Sequence, residues 1–190
     1  HDNMGGAEVF LAACRASGLA GLAGVEISAD VGNLSGTLHM LGYGVNPRHP
    51  SILEPLARVL AGRASRNARI LDALARLGLA VTWDEVAARA GKDVVVGRVH
   101  FAQALQARGY VASVAEAFDR YLAKGRPAYV NRDRLTAEEG VRAIREAGGA
   151  AVLAHPYTWL ADDDRLEAGV RRLAAAGLAG LEARHSDHTP

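Results

Sequence analysis

Apolar side chains recur along the chain at two different periods, and the period separates predicted strands from predicted helices. Buried strands are predicted from short apolar or β-branched runs at 25–28, 37–43, 150–155 and 178–183, with a Gly/Asn turn at 32–33 between the first two. Apolar spacings of three and four predict helices at 6–17, 51–77, 83–90, 99–108, 113–123, 136–147 and 162–176. Strands that alternate with helices favour a parallel sheet or a barrel with crossover connections. The chain is therefore predicted to be an α/β protein.

The middle of the chain departs from this alternation, because it is helical throughout. The α/β pattern occupies residues 1–45 and 126–190, and the helical part occupies 46–125. Pro47 and Pro50 mark the first boundary, since each proline removes a backbone donor. Capping boxes are predicted at Thr82 and at Thr136, each with a glutamate three residues later. The sequence thus predicts two parts of one α/β domain separated by an all-helical insertion.

Composition excludes several classes of protein. The 190 residues are 49% hydrophobic and 23% charged, with a formal net charge of +1, which is typical of a globular chain. No apolar run approaches the roughly 20 residues that cross a bilayer, and the amino terminus lacks the basic-then-apolar pattern of a signal peptide. Cys14 is the single cysteine and can form no internal disulfide. These features favour a cytoplasmic location and no membrane partner.

Charge divides the chain in the same way as the predicted elements. Residues 46–134 carry 15 basic and 8 acidic side chains, a net charge of +7, and the remainder carries −6. Arginine accounts for 20 of the 22 basic residues, a bias that codon usage in a GC-rich genome also explains. The distribution indicates an acidic part suited to cations and a basic part suited to an anion.

Four ionisable side chains stand inside or directly after the predicted strands. Glu26 lies in the first strand, His39 in the second, His155 at the end of the third and His185 after the fourth. A single such histidine is most often a satisfied core residue, because burial of an unpaired polar group is costly. Four of them near strand ends favour a metal centre instead. Imidazole nitrogen and carboxylate oxygen suit Zn, Mn or Fe.

Several short strings in the chain resemble those of one enzyme family. In order, they are HD at 1–2, GVEIS at 24–28, LHMLGYG at 38–44, GRVH at 97–100, GRPAYV at 125–130 and AHP at 154–156. Together they resemble the PHP family, the polymerase and histidinol phosphatase superfamily of metal-dependent phosphoesterases. The likeness runs from end to end. It is greatest to the branch with a helical insertion, whose members are 3′,5′-nucleoside bisphosphate phosphatases and 5′→3′ exoribonucleases.

The resemblance implies a fold and a metal site. The family fold is a distorted (β/α)₇ barrel, which would be incomplete in this chain, and its metal centre is trinuclear and most often holds manganese. Position by position, it implies four metal ligands in this chain: His1, Glu26, His39 and His155. The family's remaining ligands come from an amino-terminal His-x-His motif and a carboxy-terminal Asp-x-His motif, and neither is present here. His1 would then lie at the edge of a motif, and the chain alone is expected to have little activity.

The resemblance also implies a reaction and its substrates. Phosphate esters would be hydrolysed by a metal-activated hydroxide, with no catalytic side chain acting as nucleophile. Arg98 and Arg126 match arginines of the same branch and are candidates for binding a second phosphate, since a guanidinium matches phosphate oxygens in shape and charge. The expected substrate is a small phosphate ester or a short RNA, and no protein partner is implied.

Two other functions remain open from the sequence. The chain could act on another small phosphate ester, such as histidinol phosphate. It could also be an inactive nucleic-acid-binding module in which the basic helical insertion makes the contacts. The enzyme and the binding module are distinguished by whether flanking segments supply the His-x-His and Asp-x-His ligands. Without those ligands a trinuclear centre is not expected, and the binding module gains support.

Overall fold

The computed structural model describes residues 1–30, 38–91, 95–131, 134–159 and 162–186. Two compact units are present, one made of residues 1–59 with 134–190 and the other of residues 60–133. The sequence-based boundaries of the helical insertion, 46 and 125, both lie earlier in the chain. The turn predicted at 32–33 lies outside the described residues.

The elements follow the predicted order with shifted ends. The helices are α1 (Ala7–Ala16), α2 (Pro50–Arg76), α3 (Trp83–Ala90), α4 (Arg98–Ala107), α5 (Val114–Ala117), α6 (Ala137–Glu146) and α7 (Asp163–Ala176). A π-helical turn covers Phe118–Leu122 and a 3₁₀ turn covers Pro156–Trp159. The strands are β1 (Gly24–Asp30), β2 (Leu38–Tyr43), β3 (Leu135–Thr136), β4 (Ala150–Ala154) and β5 (Gly180–Leu181). No described helix is long and apolar enough to cross a membrane.

The strands form one mixed sheet in the first unit, so the prediction of a parallel sheet is wrong. The strand order is β3-β1-β2-β4-β5. β2 runs antiparallel to both β1 and β4, whereas the β1–β3 and β4–β5 pairs are parallel. Only residues 31–37 separate β1 from β2, and a parallel crossover needs a dozen residues or more. The seven-stranded barrel stays a prediction, because the described strands make a five-stranded sheet.

The core of the first unit lies where α6 packs on this sheet. Ile27, Met40 and Leu153 contribute fully buried side chains from three neighbouring strands, and Ile144 covers them from α6. The capping box predicted at Thr136 is present, with its hydroxyl accepting from the Glu139 amide. The cap fixes the start of α6, directly after β3.

The second unit has a separate helical core. Its fully buried side chains come from the last part of α2, from α3 and α4, and from the π-helical turn; they include Ile70, Leu74, Val86, Phe101, Leu105 and Leu122. The capping box predicted at Thr82 is present at the start of α3. The helix predicted at 113–123 is divided into α5 and the π-helical turn.

Candidate metal centre

The carboxylate of Glu26 lies at the centre of the predicted ligands. Its Oε1 atom is 2.8 Å from His39 Nδ1, 3.6 Å from His1 Nδ1 and 3.6 Å from His155 Nε2. The His39 Nδ1 and His155 Nε2 atoms are 3.1 Å apart. The fold thus brings together all four residues that the resemblance implied as metal ligands.

The register of the sheet explains this convergence. Glu26 pairs with Leu41 of β2, so His39, two residues before Leu41, is the diagonal neighbour of Glu26 on the same face. On its other side, His39 pairs with Ala154, and His155 is the next residue after β4. The register therefore places Glu26 and His39 on one face, and His155, which strand alternation would direct to the other face, reaches them because its backbone leaves the extended conformation at φ 28°.

Four histidine rings follow one another at the site, each close to the next. The ring centres of His1 and His39 are 4.7 Å apart, those of His39 and His155 are 5.0 Å apart, and those of His155 and His185 are 5.4 Å apart. His185 therefore lies beside His155, at the end of the row. Sequence reasoning placed His185 near the site without assigning it as a ligand.

A hydrogen bond and nearby charges favour the ionised form of Glu26. The hydrogen bond with His39 lowers the pKa of the Glu26 carboxyl, burial opposes that shift, and the nearby charges of His39 and His155 lower the pKa further. The side chains of His39 and His155 are 19% and 14% exposed, whereas that of His1 is 49% exposed. An anionic oxygen thus faces three imidazoles at a partly open site.

Two strained backbone positions flank the cluster. Asp2 has φ of 58° and His155 has φ of 28°, and they are the only non-glycine residues with positive φ in the part of the chain that the structure describes. Such conformations cost free energy and persist only where the surrounding contacts impose them. Both residues adjoin or belong to the candidate ligand set.

Asp2 holds His1 against β1 and was not assigned a role from the sequence. Its carboxyl is fully buried and accepts a 2.7 Å hydrogen bond from the Ser28 amide through Oδ1. Its own amide donates to the Glu26 carbonyl at 2.8 Å. The sequence signal for Asp2 was the HD string, in which an aspartate directly follows a candidate metal ligand. A buried aspartate at such a position needs a specific partner.

His155 is held by two further residues that sequence reasoning missed. Its amide donates to Glu182 Oε2 at 2.8 Å, and its Nδ1 atom lies 2.6 Å from Thr158 Oγ1. Glu182 follows β5 directly, as His155 follows the neighbouring β4. Because the ends of neighbouring parallel strands lie close together, the position of Glu182 directly after β5 was the sequence signal that it could contact His155.

The donor set fits a divalent cation. One carboxylate oxygen of Glu26 lies within 3.6 Å of three imidazole nitrogens, and the ligand atoms of His1, Glu26 and His39 all lie within 4.8 Å of one another. Mixed oxygen and imidazole donors suit Zn, Mn or Fe better than Mg or Ca.

The two candidate substrate arginines belong to the second unit. Arg98 Nη1 donates to the Leu122 carbonyl at 3.0 Å, and its guanidinium lies 5.2 Å from the centre of the Tyr129 ring. Arg126 Nη2 contacts Asp119 Oδ1 at 2.8 Å in an exposed ion pair. Arg98 is therefore built into its unit more firmly than Arg126.

Named bacterial proteins are similar to this chain over most or all of its length. A 3′,5′-nucleoside bisphosphate phosphatase from Chromobacterium violaceum is 31% identical over 189 residues, which is 100% of this chain and 66% of that protein. The 5′-3′ exoribonuclease Rnm of Salmonella typhimurium is 33% identical over 165 residues, which is 87% of this chain and 51% of that protein. The chain therefore spans between half and two thirds of the length of these relatives. No family model matches it.

A solved structure shows the same fold. A protein from Bifidobacterium adolescentis described as a metal-dependent phosphoesterase is 29% identical, with a TM-score of 0.80 over 100% of this chain and 66% of that one. The chain belongs to the PHP family of phosphoesterases. Within this PHP chain, the AHP string spans the end of β4, with His155 as the first residue after the strand. The GVEIS string begins β1, and the LHMLGYG string contains β2.

Proposed function

We propose that the protein is a metal-dependent phosphoesterase that hydrolyses phosphate esters of nucleotides. The observation that carries this proposal is the placement of Glu26 Oε1 within 3.6 Å of nitrogen atoms of His1, His39 and His155. Two strained backbone positions, Asp2 and His155, adjoin or belong to this cluster, and strain of this kind is typical of functional sites.

The four residues would hold the cation, each through a different part of the fold. Glu26 supplies a negative charge, and His39 and His155 supply nitrogen donors from neighbouring strands. His1, the most exposed of the four, closes the set from the side of β1. Bound divalent ions neutralise phosphate charge and activate water for hydrolysis, so the chain itself needs no nucleophile. Manganese as the metal, and three ions as the number, remain predictions from the family resemblance.

The nature of the relatives supports nucleotides as substrates. One is a nucleoside bisphosphate phosphatase and another is a 5′-3′ exoribonuclease. Both act on a phosphate ester of a nucleotide, so a 3′,5′-bisphosphate nucleotide and the 5′ end of a short RNA are the substrates we expect. A cytoplasmic location remains part of this proposal.

We further propose that Arg126 and Arg98 bind a second phosphate of the substrate. Arg126 is about half exposed, and its ion pair with Asp119 is weak because both side chains face solvent. A phosphate dianion can compete with that carboxylate for a guanidinium. Arg98 keeps donors beyond its bond to the Leu122 carbonyl, because a guanidinium has five N–H groups.

The reading as a nucleic-acid-binding module has less support. Three arginines of the second unit, Arg108, Arg120 and Arg126, form ion pairs with glutamate or aspartate side chains of the same unit. Their charges are therefore partly neutralised within the unit rather than presented together to a phosphate backbone.

Phosphate release by the full-length protein tests the proposed activity. With Mn²⁺, the protein is expected to release inorganic phosphate from adenosine 3′,5′-bisphosphate. Glu26→Gln and His155→Ala are expected to reduce release to background, because each removes a donor from the cluster. Glu8→Gln is the matched control, since Glu8 is an exposed carboxylate of the same unit that pairs with Arg48. Unchanged turnover in Glu26→Gln contradicts the proposal.

The arginine assignment is tested by comparing two substrates. Arg126→Ala is expected to raise KM for the bisphosphate and to leave KM for a nucleoside monophosphate unchanged. Equal losses on the two substrates exclude a role in binding the second phosphate.

A further inference from the structure

Thr158 contacts both the backbone and the imidazole ring of His155. The 3₁₀ turn at Pro156–Trp159 brings Thr158 back over His155, and the Thr158 amide donates to the His155 carbonyl at 3.0 Å. The Thr158 hydroxyl donates to the same carbonyl at 3.0 Å. Its oxygen also lies 2.6 Å from His155 Nδ1.

A threonine hydroxyl has a single proton, and its contact with the His155 carbonyl uses that proton because a carbonyl oxygen can only accept. The short contact to Nδ1 is therefore a hydrogen bond in which His155 donates and Thr158 accepts. A neutral imidazole has one ring proton, so the Nε2 atom keeps its lone pair. That atom faces Glu26 Oε1 at 3.6 Å and His39 Nδ1 at 3.1 Å.

We propose that Thr158 is a positioning residue that fixes the Nδ1–H tautomer of His155 and so presents the Nε2 lone pair to the cation. This inference rests on the proposed metal centre. The opposite tautomer would direct an N–H group at the ligand cluster and exclude a cation from that side. A hydrogen bond on the second ring nitrogen is the general means by which proteins orient a metal-binding histidine.

The backbone of His155 is fixed independently of Thr158. Its amide donates to Glu182 Oε2 at 2.8 Å, and its φ of 28° aims the ring from the end of β4 toward Glu26. Removal of the Thr158 hydroxyl is therefore expected to change the tautomer while the ring stays in place.

His100 provides an internal reference with the opposite tautomer. The Gly97 amide, which can only donate, contacts His100 Nδ1 at 3.0 Å. Burial lowers the pKa of His100, which keeps its ring neutral. His100 must therefore carry its proton on Nε2, whereas His155 carries it on Nδ1.

The experiment measures ¹⁵N shifts of the imidazole rings by two-bond ¹H–¹⁵N correlation. The full-length protein is used without metal at about pH 8, above the ordinary imidazole pKa of about 6.5. His155→Asn assigns the His155 signals. Wild type is expected to show Nδ1–H for His155 and Nε2–H for His100. In Thr158→Val the His155 ring is expected to shift toward Nε2–H, and in Thr158→Ser it is expected to keep Nδ1–H.

The control variant is Thr136→Val, which removes a threonine hydroxyl bond from the start of α6 in the same unit. It is expected to cost stability and to leave the His155 tautomer unchanged. Thr158→Ala repeats the test if Thr158→Val fails to fold. An Nδ1–H ring in a folded Thr158→Val or Thr158→Ala protein overturns the proposal.

Mn²⁺ affinity, measured by calorimetry, is the second readout. Thr158→Val is expected to bind Mn²⁺ about 10- to 100-fold more weakly than wild type, and Thr158→Ser is expected to recover most of that loss. Equal affinity in Thr158→Val and wild type overturns the role of Thr158 toward the cation. A tautomer change in a protein whose wild type binds no Mn²⁺ supports the tautomer assignment and overturns the proposed metal centre.

Discussion

Ionisable side chains serve opposite purposes in the two units. In the first unit, Glu26 faces three imidazoles whose donor atoms point at one another. In the second, Arg108 and Arg120 are bound to glutamates of the same unit, and Arg98 is bound to a backbone carbonyl. A cation would complete the first arrangement, whereas these three arginines of the second unit already have partners within their own unit. Charge in the sequence therefore does not locate a site until the partners of each group are known.

Backbone strain follows the same division. The two non-glycine residues with positive φ among the described residues, Asp2 and His155, both belong to the first unit. The second unit places glycine where its backbone turns left-handed, as at Gly78 and Gly109. Strain is thus concentrated beside the candidate metal ligands.

The largest expected effect is on metal binding. Glu26→Gln keeps the size of the side chain and removes its charge, so Mn²⁺ affinity is expected to fall by at least about 100-fold, the upper end for loss of an outer-shell partner. Glu85→Gln, at the charged pair of the second unit, is the control and is expected to leave Mn²⁺ affinity unchanged. Calorimetric titration with Mn²⁺ measures both variants. Similar losses of Mn²⁺ affinity in the two would show that the cation does not depend specifically on the first unit.

The next effect is on stability. Asp2→Ala leaves the Ser28 amide without its acceptor in the interior and is expected to lower the free energy of unfolding by about 1–3 kcal/mol. Asp2→Asn keeps an oxygen acceptor and tolerates positive φ, so a smaller loss is expected. Urea unfolding at neutral pH measures both variants. A loss in Asp2→Asn as large as that in Asp2→Ala would show that charge, rather than the hydrogen bond, holds this position.

Within the second unit, Arg98 and Arg126 are expected to differ. Arg98→Ala removes a hydrogen bond to a carbonyl and a contact with the Tyr129 ring, at a cost of about 1–2 kcal/mol. Arg126→Ala breaks an exposed ion pair, which is worth between about 0 and 1 kcal/mol. Unfolding curves of the two variants test the order. A larger loss of unfolding free energy in Arg126→Ala than in Arg98→Ala would indicate that the Arg126 ion pair stabilises the fold.

The smallest effect concerns acid sensitivity of the second unit. The hydrogen bond from Arg108 lowers the pKa of Glu85 to about 2, with help from the Thr82 amide. Because the folded pKa lies below the ordinary value of 4.5, the ionised form contributes stability above pH 4.5, and that contribution is lost as pH falls toward 2. Arg108→Gln is expected to move the Glu85 midpoint upward in an NMR titration. An unmoved midpoint would assign the shift to the cap at Thr82 alone.

Local features of the fold were accessible from the sequence, whereas pairing between distant segments was not. The capping boxes at Thr82 and Thr136 were predicted because all their atoms lie within four residues. The antiparallel pairing of β2 with β4 was not, since it joins segments more than 100 residues apart. β3 was missed because two residues carry no periodicity.

The site shows the same limit. Glu26, His39 and His155 were selected because an ionisable group in an apolar strand is conspicuous, and the structure places all three together. Glu182 was missed because its contact with the His155 amide joins residues 27 positions apart. Thr158 is only three residues from His155, yet a threonine in this position carries no signal in the sequence until the structure shows its hydroxyl against the ring nitrogen.

The antiparallel position of β2 between β1 and β4 has a consequence for the dynamics of the sheet. A ligand that contacts Glu26, His39 and His155 at once links three adjacent strands, of which β4 lies more than 100 residues beyond β2 in the sequence. Separation of any one strand then requires the ligand to dissociate, so openings that are independent in the free protein become a single cooperative event. Amide hydrogens of β1, β2 and β4 are accordingly expected to slow their exchange with solvent together.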